Sequence, residues 1–446
     1  MISFRMAIAV ALQDAGEATR AVELARGLRE SSPDGWHLDI TFLSHGSRFE
    51  PMIRQAGFDI THCAPRLEGR SIAHDLQWDP PEIVGSAALA RELIEGEREA
   101  LETLRPDVVL HGFWPFGNIA ARLLGIRTMC FLPIPLDPAS VAGGLLRDLP
   151  DVVPVLPRLP RPVREMIVRM IPAGVKTGLG AFTQHRLGQA IAQCGWPGEP
   201  PRTIFEMLRA DLTLINDLPD FYADCVIPEH MAITGPLFAP GASAAPGDGP
   251  ATLDPAIQSV LTSDGHLPKI FCTMGSSGTK DAFLEAVRAI GGRADDPWNA
   301  VILASPSVCP LEEARAQAVE RPGIVITDAF VPAPAVNALA DLVVSHGGQG
   351  TVQTALAAGT PIVGVAMQVE QQINLDHVAG RGAGIRIPAR RWRAPLIRKA
   401  IRTVLGTPSY RRHARDLAAT IRSGDGRKAA AERMWDQIRT TFTPAH

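Results

Sequence analysis

Short runs of consecutive apolar residues alternate along this chain with longer stretches whose apolar positions recur at helical spacing. Met6–Leu12 is the first apolar run, followed by the polar turn Gln13-Asp14-Ala15-Gly16-Glu17. Ala21, Leu24, Ala25 and Leu28 then share one face of a helix expected from Thr19 to about Arg29. Strands are expected at Leu38–Leu43, Val108–Leu110, Thr128–Leu132 and Leu212–Asn216, with helices at Phe49–Gln55 and Ala87–Leu104. The rhythm repeats after residue 254: helix Asp254–Leu261, strands Lys269–Thr273, Ala300–Ala304 and Gly323–Thr327, then a buried-strand run at Leu342-Val343-Val344. A helix carrying Val352, Ala355 and Leu356 ends at Gly359-Thr360-Pro361, and Ile362–Val365 reads as the next strand. Helix Ala394–Leu405 and a basic helical tail to about Phe442 close the pattern. Strand–helix alternation of this kind predicts an α/β protein with parallel, Rossmann-like sheets.

At 446 residues the chain exceeds what one hydrophobic core organises, so two such units are expected. Pro240–Pro255, which holds glycine, alanine and proline with almost no large apolar residue, reads as the linker. The resulting division is 1–238, linker 239–255, second domain 256–424 and a final helix in 425–446. A composition of 46% hydrophobic and 20% charged residues with net charge −3 suits a soluble globular protein and gives no basis for a nucleic-acid partner. The six cysteines lack Cys-x-x-Cys or metal-ligand spacing, and read as reduced core thiols of a cytoplasmic protein. No secretory leader or membrane-length apolar run is evident. The short cationic face of Val163–Ile171 disfavours membrane contact. Oligomeric state is open, a homodimer being compatible.

The chemistry is densest in 341–377. The apolar run ends at Ser345-His346, and the glycine turn Gly347, Gly348 and Gly350 leads into Thr351. Glycines after a strand let backbone approach a bound group, and the next helix turns its N–H groups toward an anion, with Thr351 and His346 as further donors. Such a turn alone is an ordinary βα loop. What sharpens it is Glu370-Gln371 and Asn374 after the following strand, because groups at neighbouring strand ends converge on one crevice. A carboxylate beside an amide suits adjacent hydroxyls. A diphosphate cradle joined to a hydroxyl-binding pair points to a nucleotide sugar.

This stretch resembles the donor signature of the two-domain (GT-B) glycosyltransferases that include macrolide, glycopeptide and plant natural-product enzymes. Their pattern is His-Gly-Gly, an alanine–leucine helix, Gly-x-Pro, then an acidic residue and Gln before Asn. Thr354 stands where many members have a ribose-binding Glu, and Ala366 where a Pro is usual. The resemblance implies two facing Rossmann-like domains with a cleft between them, donor in the second and acceptor in the first. It implies that Gly275 and Ser276 contact donor phosphate, and that Phe330 stacks on the base while the Val331 backbone reads its edge. Ala333 replaces the usual Gln, which leaves the base open.

The family's catalytic His falls at Glu17 and its Pro at Arg20. A carboxylate base is carried there by some glycopeptide-type relatives, so Glu17 is the expected general base; the alternative is a solvated first-turn acid. His111 occupies the place from which relatives orient their His, and is either a second catalytic group or a hydrogen-bonded structural residue. Trp78, in a loop where such enzymes vary to recognise acceptors, is one acceptor-binding candidate; Phe113, Trp114 and Phe116 are candidates for an apolar acceptor wall, with core packing as the competing reading. The implied activity is inverting, metal-independent transfer from a dTDP- or UDP-linked sugar to a small-molecule natural-product hydroxyl. No cofactor beyond the nucleotide-sugar co-substrate is expected. The rivals are a nucleotide-sugar hydrolase and a catalytically silent nucleotide-sugar binder.

Overall fold

The computed structural model describes residues 2–149, 159–178, 182–238, 253–263, 266–329 and 331–441. They group into two compact units. The first comprises Met1–Leu145, Ile171–Ala239 and Asp425–His446, and the second Leu146–Met170 and Pro240–Gly424. Segment 146–170, assigned from sequence to the first domain, thus packs with the second unit. Most of the expected linker, residues 239–252, lies outside the described residues.

The first unit is built on a seven-stranded sheet of β1 (Ile2–Ala9), β2 (Trp36–Ser44), β3 (Asp59–His62), β4 (Val108–His111), β5 (Arg127–Leu132), β6 (Leu212–Ile215) and β7 (Met231–Ile233). All neighbours are parallel, in the order β3-β2-β1-β4-β5-β6-β7. The second unit has six strands, β8 (Lys269–Thr273), β9 (Asn299–Leu303), β10 (Ile324–Thr327), β11 (Leu342–Ser345), β12 (Ile362–Gly364) and β13 (Gly384–Arg386). They too are parallel, in the order β10-β9-β8-β11-β12-β13. Helices cover both faces of such a sheet, so its central strands are apolar without alternation; every residue of β4 and of β11 is buried. The order reverses between β1 and β4 in one sheet and between β8 and β11 in the other. Each reversal opens a crevice at the carboxyl ends of those strands.

Several boundaries differ from the sequence reading for local reasons. β1 stops at Ala9 because residues 10–14 turn on themselves: the N–H of Leu12 donates to the carbonyl of Val10, and that of Asp14 to Ala11. The first helix runs Ala15–Glu30 rather than from Thr19, since the Asp14 side chain caps it by accepting from the Glu17 N–H at 2.8 Å. Strands β3 and β13, only four and three residues long, carry too little apolar pattern to be seen in sequence. The tail forms the helix Gly426–Thr441, which joins the first unit's core through Ala430, Met434, Trp435 and Ile438.

Candidate active site

In the second unit, the β8 and β11 loops lie on either side of the strand-order reversal. His346 follows β11 directly and is 4% exposed. A Cβ on Gly275 would sit 2.5 Å from His346 Cε1, and one on Gly348 would sit 2.5 Å from Nε2. The imidazole is therefore held between two glycines from two loops, and each must lack a side chain for the ring to fit. Gly275 also has φ +56°, a left-handed conformation that suits glycine. The next helix runs Gln349–Ala357 with Gly348 at its N-cap, so Gly350 and Thr351 lie in its first turn. The first N–H groups of a helix have no intrahelical acceptor, and this end is a ready anion site. Gly275 is half-buried and Ser276 exposed beside this turn.

The helix Val369–Gly380 supplies the polar pair. Gln371 is buried; its Oε1 accepts from the Met367 N–H at 2.9 Å and its Nε2 donates to Ser277 Oγ at 3.1 Å. Asn374 Nδ2 donates to Glu370 Oε1 at 2.6 Å and to the Gly347 carbonyl at 3.0 Å. Leu375 fills the space that a side chain on Gly347 or Gly364 would need. This helix is thus locked onto the glycine turn, which fixes Glu370 and Gln371 relative to His346. Thr354 is occupied within its own helix, donating to the Gly350 carbonyl at 2.8 Å and accepting from Asn337 at 3.2 Å. Val331 is buried, whereas Phe330 lies outside the described residues.

In the first unit, the loops after β1 and β4 meet at the corresponding reversal. Glu17 sits in the first turn of its helix, is 4% exposed and accepts from the Ala11 N–H at 3.0 Å and from the Phe113 N–H. A side chain on Gly112 would strike the Glu17 carboxylate at 2.2 Å, so the β4 loop lies flat over it. Burial pushes the Glu17 carboxyl up to about 7, against the opposing pull of Arg20 and the two N–H donors. The same burial, with the neighbouring Glu17 charge, pushes the Cys130 thiol far up and keeps it protonated.

His111 and Trp114 belong to the interior. His111 is fully buried, its Nδ1 lies 2.9 Å from the Gly112 carbonyl, and burial lowers it to about 4, so it is neutral near pH 7. Trp114 is 2% exposed, stacks edge-on against Phe116, and donates its indole N–H to Glu97. Neither side chain lines an open surface. Phe113 and Trp78 are half-buried.

Residues 307–430 match the family described as Erythromycin biosynthesis protein CIII-like, C-terminal domain. The chain is 26% identical over 335 residues to a PGL/p-HBAD biosynthesis glycosyltransferase of Mycobacterium tuberculosis, spanning 74% of this chain and 70% of that one. Two solved structures share the fold. The glycotransferase of kitacinnamycin has a TM-score of 0.64 at 19% identity, covering 97% of this chain and 98% of its own. Glycosyltransferase VinC in complex with dTDP has a TM-score of 0.61 at 16% identity, covering 98% and 99%. The chain has the GT-B fold and is a glycosyltransferase.

Some features of this glycosyltransferase escaped the sequence reading. Ser277, next to the expected Ser276, is the residue that Gln371 holds. Asp148 is buried between Arg164 and Arg386, and Arg386 also donates to Asp376. Asp376 lies two residues past Asn374, so the one available signal was its closeness to the donor signature. In the first unit, Glu97 gathers Trp114 and His45, from the helix Ala87–Leu104 that carries no motif. No described helix is long and apolar enough to cross a membrane.

Proposed function

We propose that this glycosyltransferase moves a sugar, with inversion, from a dTDP- or UDP-linked donor to a hydroxyl group of a small-molecule natural product. The observation that carries this reading is Glu17, a buried carboxyl at a strand-order reversal with its pKa raised to about 7. A base is most effective when its pKa lies near the working pH. Glu17 takes the proton of the acceptor hydroxyl as that oxygen bonds to the anomeric carbon. The bond from that carbon to the diphosphate breaks with its electron pair on the diphosphate oxygen. One displacement from the opposite side inverts the centre.

Departing negative charge is met by the amino end of the 349–357 helix, by His346 and by the Gly275-Ser276 backbone, without a metal in this reading. Glu370 and Gln371 hold the sugar hydroxyls, Gln371 exchanging its bond to Ser277 for the ligand. The dTDP in the VinC structure supports a thymidine-linked donor, and the erythromycin and kitacinnamycin names support a natural-product acceptor.

The test is Glu17→Gln assayed with labelled donor. A fall in kcat of roughly 100-fold or more is expected, within the usual range for loss of a general base, with donor affinity unchanged. Retained transfer would remove Glu17 as base. Label released only as free sugar with every acceptor would mark a hydrolase, and donor binding without turnover a silent binder. A rate abolished by a chelator would overturn the metal-free route.

A further inference from the structure

We infer that residues 146–149 and 159–170 position the sugar end of the donor site, with Asp148 bracing a second face of the 369–380 helix. The inference rests on the donor reading above. That helix presents two working faces. Glu370, Gln371, Asn374 and Leu375 face the glycine turn and its neighbours. Gln372, Asp376 and Gly380 follow one another at four-residue spacing and share another face. All three meet segment 146–170 or its partner Arg386. Gln372 Nε2 donates to the Leu149 carbonyl at 2.9 Å, Asp376 accepts from Arg386 Nε at 2.7 Å, and Arg147 and Arg161 lie against Gly380.

Asp148 is the hub on the segment's side. It is 2% exposed and accepts from Arg164 Nε and Nη2 at 2.8 and 2.7 Å, and from Arg386 Nη2. Arg164 belongs to the helix Arg161–Met170, so the described parts of the segment, 146–149 and 159–170, are clasped together by the group that binds Arg386. Arg386 in turn links Asp148 to Asp376, one helical turn beyond Gln372. Burial alone would raise the Asp148 carboxyl, but the two arginines outweigh it and hold it below its ordinary value. Taking away one member of such a node leaves buried charge unpaired, so neighbouring groups must move. The helix that moves carries Glu370 and Gln371. The nucleotide end is built on the 349–357 helix and the β8 loop.

This separates sugar from nucleotide in a binding experiment. Calorimetry on the full chain would use dTDP and UDP, each alone and linked to a hexose. For Asp148→Asn, affinity for the linked sugar should fall tenfold or more while affinity for the free diphosphate stays within twofold. Gln372→Leu removes the side-chain bonds of that residue, among them those to the Leu149 carbonyl and to Asp376, and should shift the same difference in the same direction by severalfold; it gives the answer by itself if Asp148→Asn does not fold. Unchanged affinities, or equal losses with and without the sugar, would overturn the positioning role. Wild-type protein that binds neither diphosphate would instead refute the donor reading and the inference with it.

Discussion

Glu17 shows how one side chain acquires its chemistry from its surroundings. In sequence it is a first-turn acid behind a good N-cap, Asp14; in the fold it is covered by the β4 loop through Gly112 and Phe113. A carboxyl raised from 4.5 to about 7 binds its proton more tightly folded than unfolded. Its contribution to stability is therefore greatest below pH 4.5, declines as pH rises, and reaches a loss of about 3 kcal/mol above pH 7. Glu17→Gln has no such loss. The difference in melting temperature should move in favour of the variant by roughly 6–12 °C between pH 4.5 and pH 8, and a gap constant with pH would contradict the buried-acid assignment. Activity should run the other way, with kcat/KM climbing through pH 7 to a plateau as the base ionises. His346 depends on what its neighbours lack. Gly348→Ala should push the ring aside at a cost of about 1–3 kcal/mol and weaken nucleoside diphosphate binding tenfold or more, which thermal-shift titration from the variant's own ligand-free midpoint would read.

Among the elements, the 369–380 helix joins most of the proposed donor site. Its signature residues were legible because their spacing is local: strand, glycine turn and helix succeed one another in the chain. Its second face was not legible, because Gln372 and Asp376 meet Leu149 and Arg386 only through tertiary packing. Leu375 anchors the helix by occupying the space beside Gly347 and Gly364. Leu375→Ala should cost roughly 2–5 kcal/mol in denaturant unfolding of the second unit, the range for a buried leucine truncation. A cost under 1 kcal/mol would mean that the helix is held mainly elsewhere. The placement of Trp114 was not legible in sequence for a related reason. An aromatic cluster after a buried strand looks the same whether it lines a cleft or fills a core, and Trp114 fills a core.

At the scale of the whole molecule, the chain twice leaves one unit to complete another. Residues 146–170 join the second unit, and residues 425–446 return to the first. The return is well anchored. Trp435 donates its indole N–H to the Leu28 carbonyl at 3.0 Å and packs edge-on against Trp36 at 5.5 Å, while Gly426 lies against the Gly235 backbone. Trp435→Ala should destabilise the first unit by about 3–5 kcal/mol. Two calorimetric transitions are expected from two units, and only one should move; a matching shift in both would contradict the assignment of the tail.

Period and spacing along the chain determined the alternating strands and helices, the parallel sheets, the glycine turn with His346, and the acid–amide pair that follows. Each of these rests on neighbours in sequence, where apolar repeat and turn chemistry act directly. Tertiary structure alone decided that Glu17 is buried with its carboxyl raised toward neutral pH, that His111 and Trp114 are interior, and that Asp148 shares Arg386 with Asp376 of the 369–380 helix. Those outcomes depend on desolvation and on partners distant in the chain, Gly112 and Phe113 for Glu17 and Arg386 for Asp148, and a linear pattern carries no record of either.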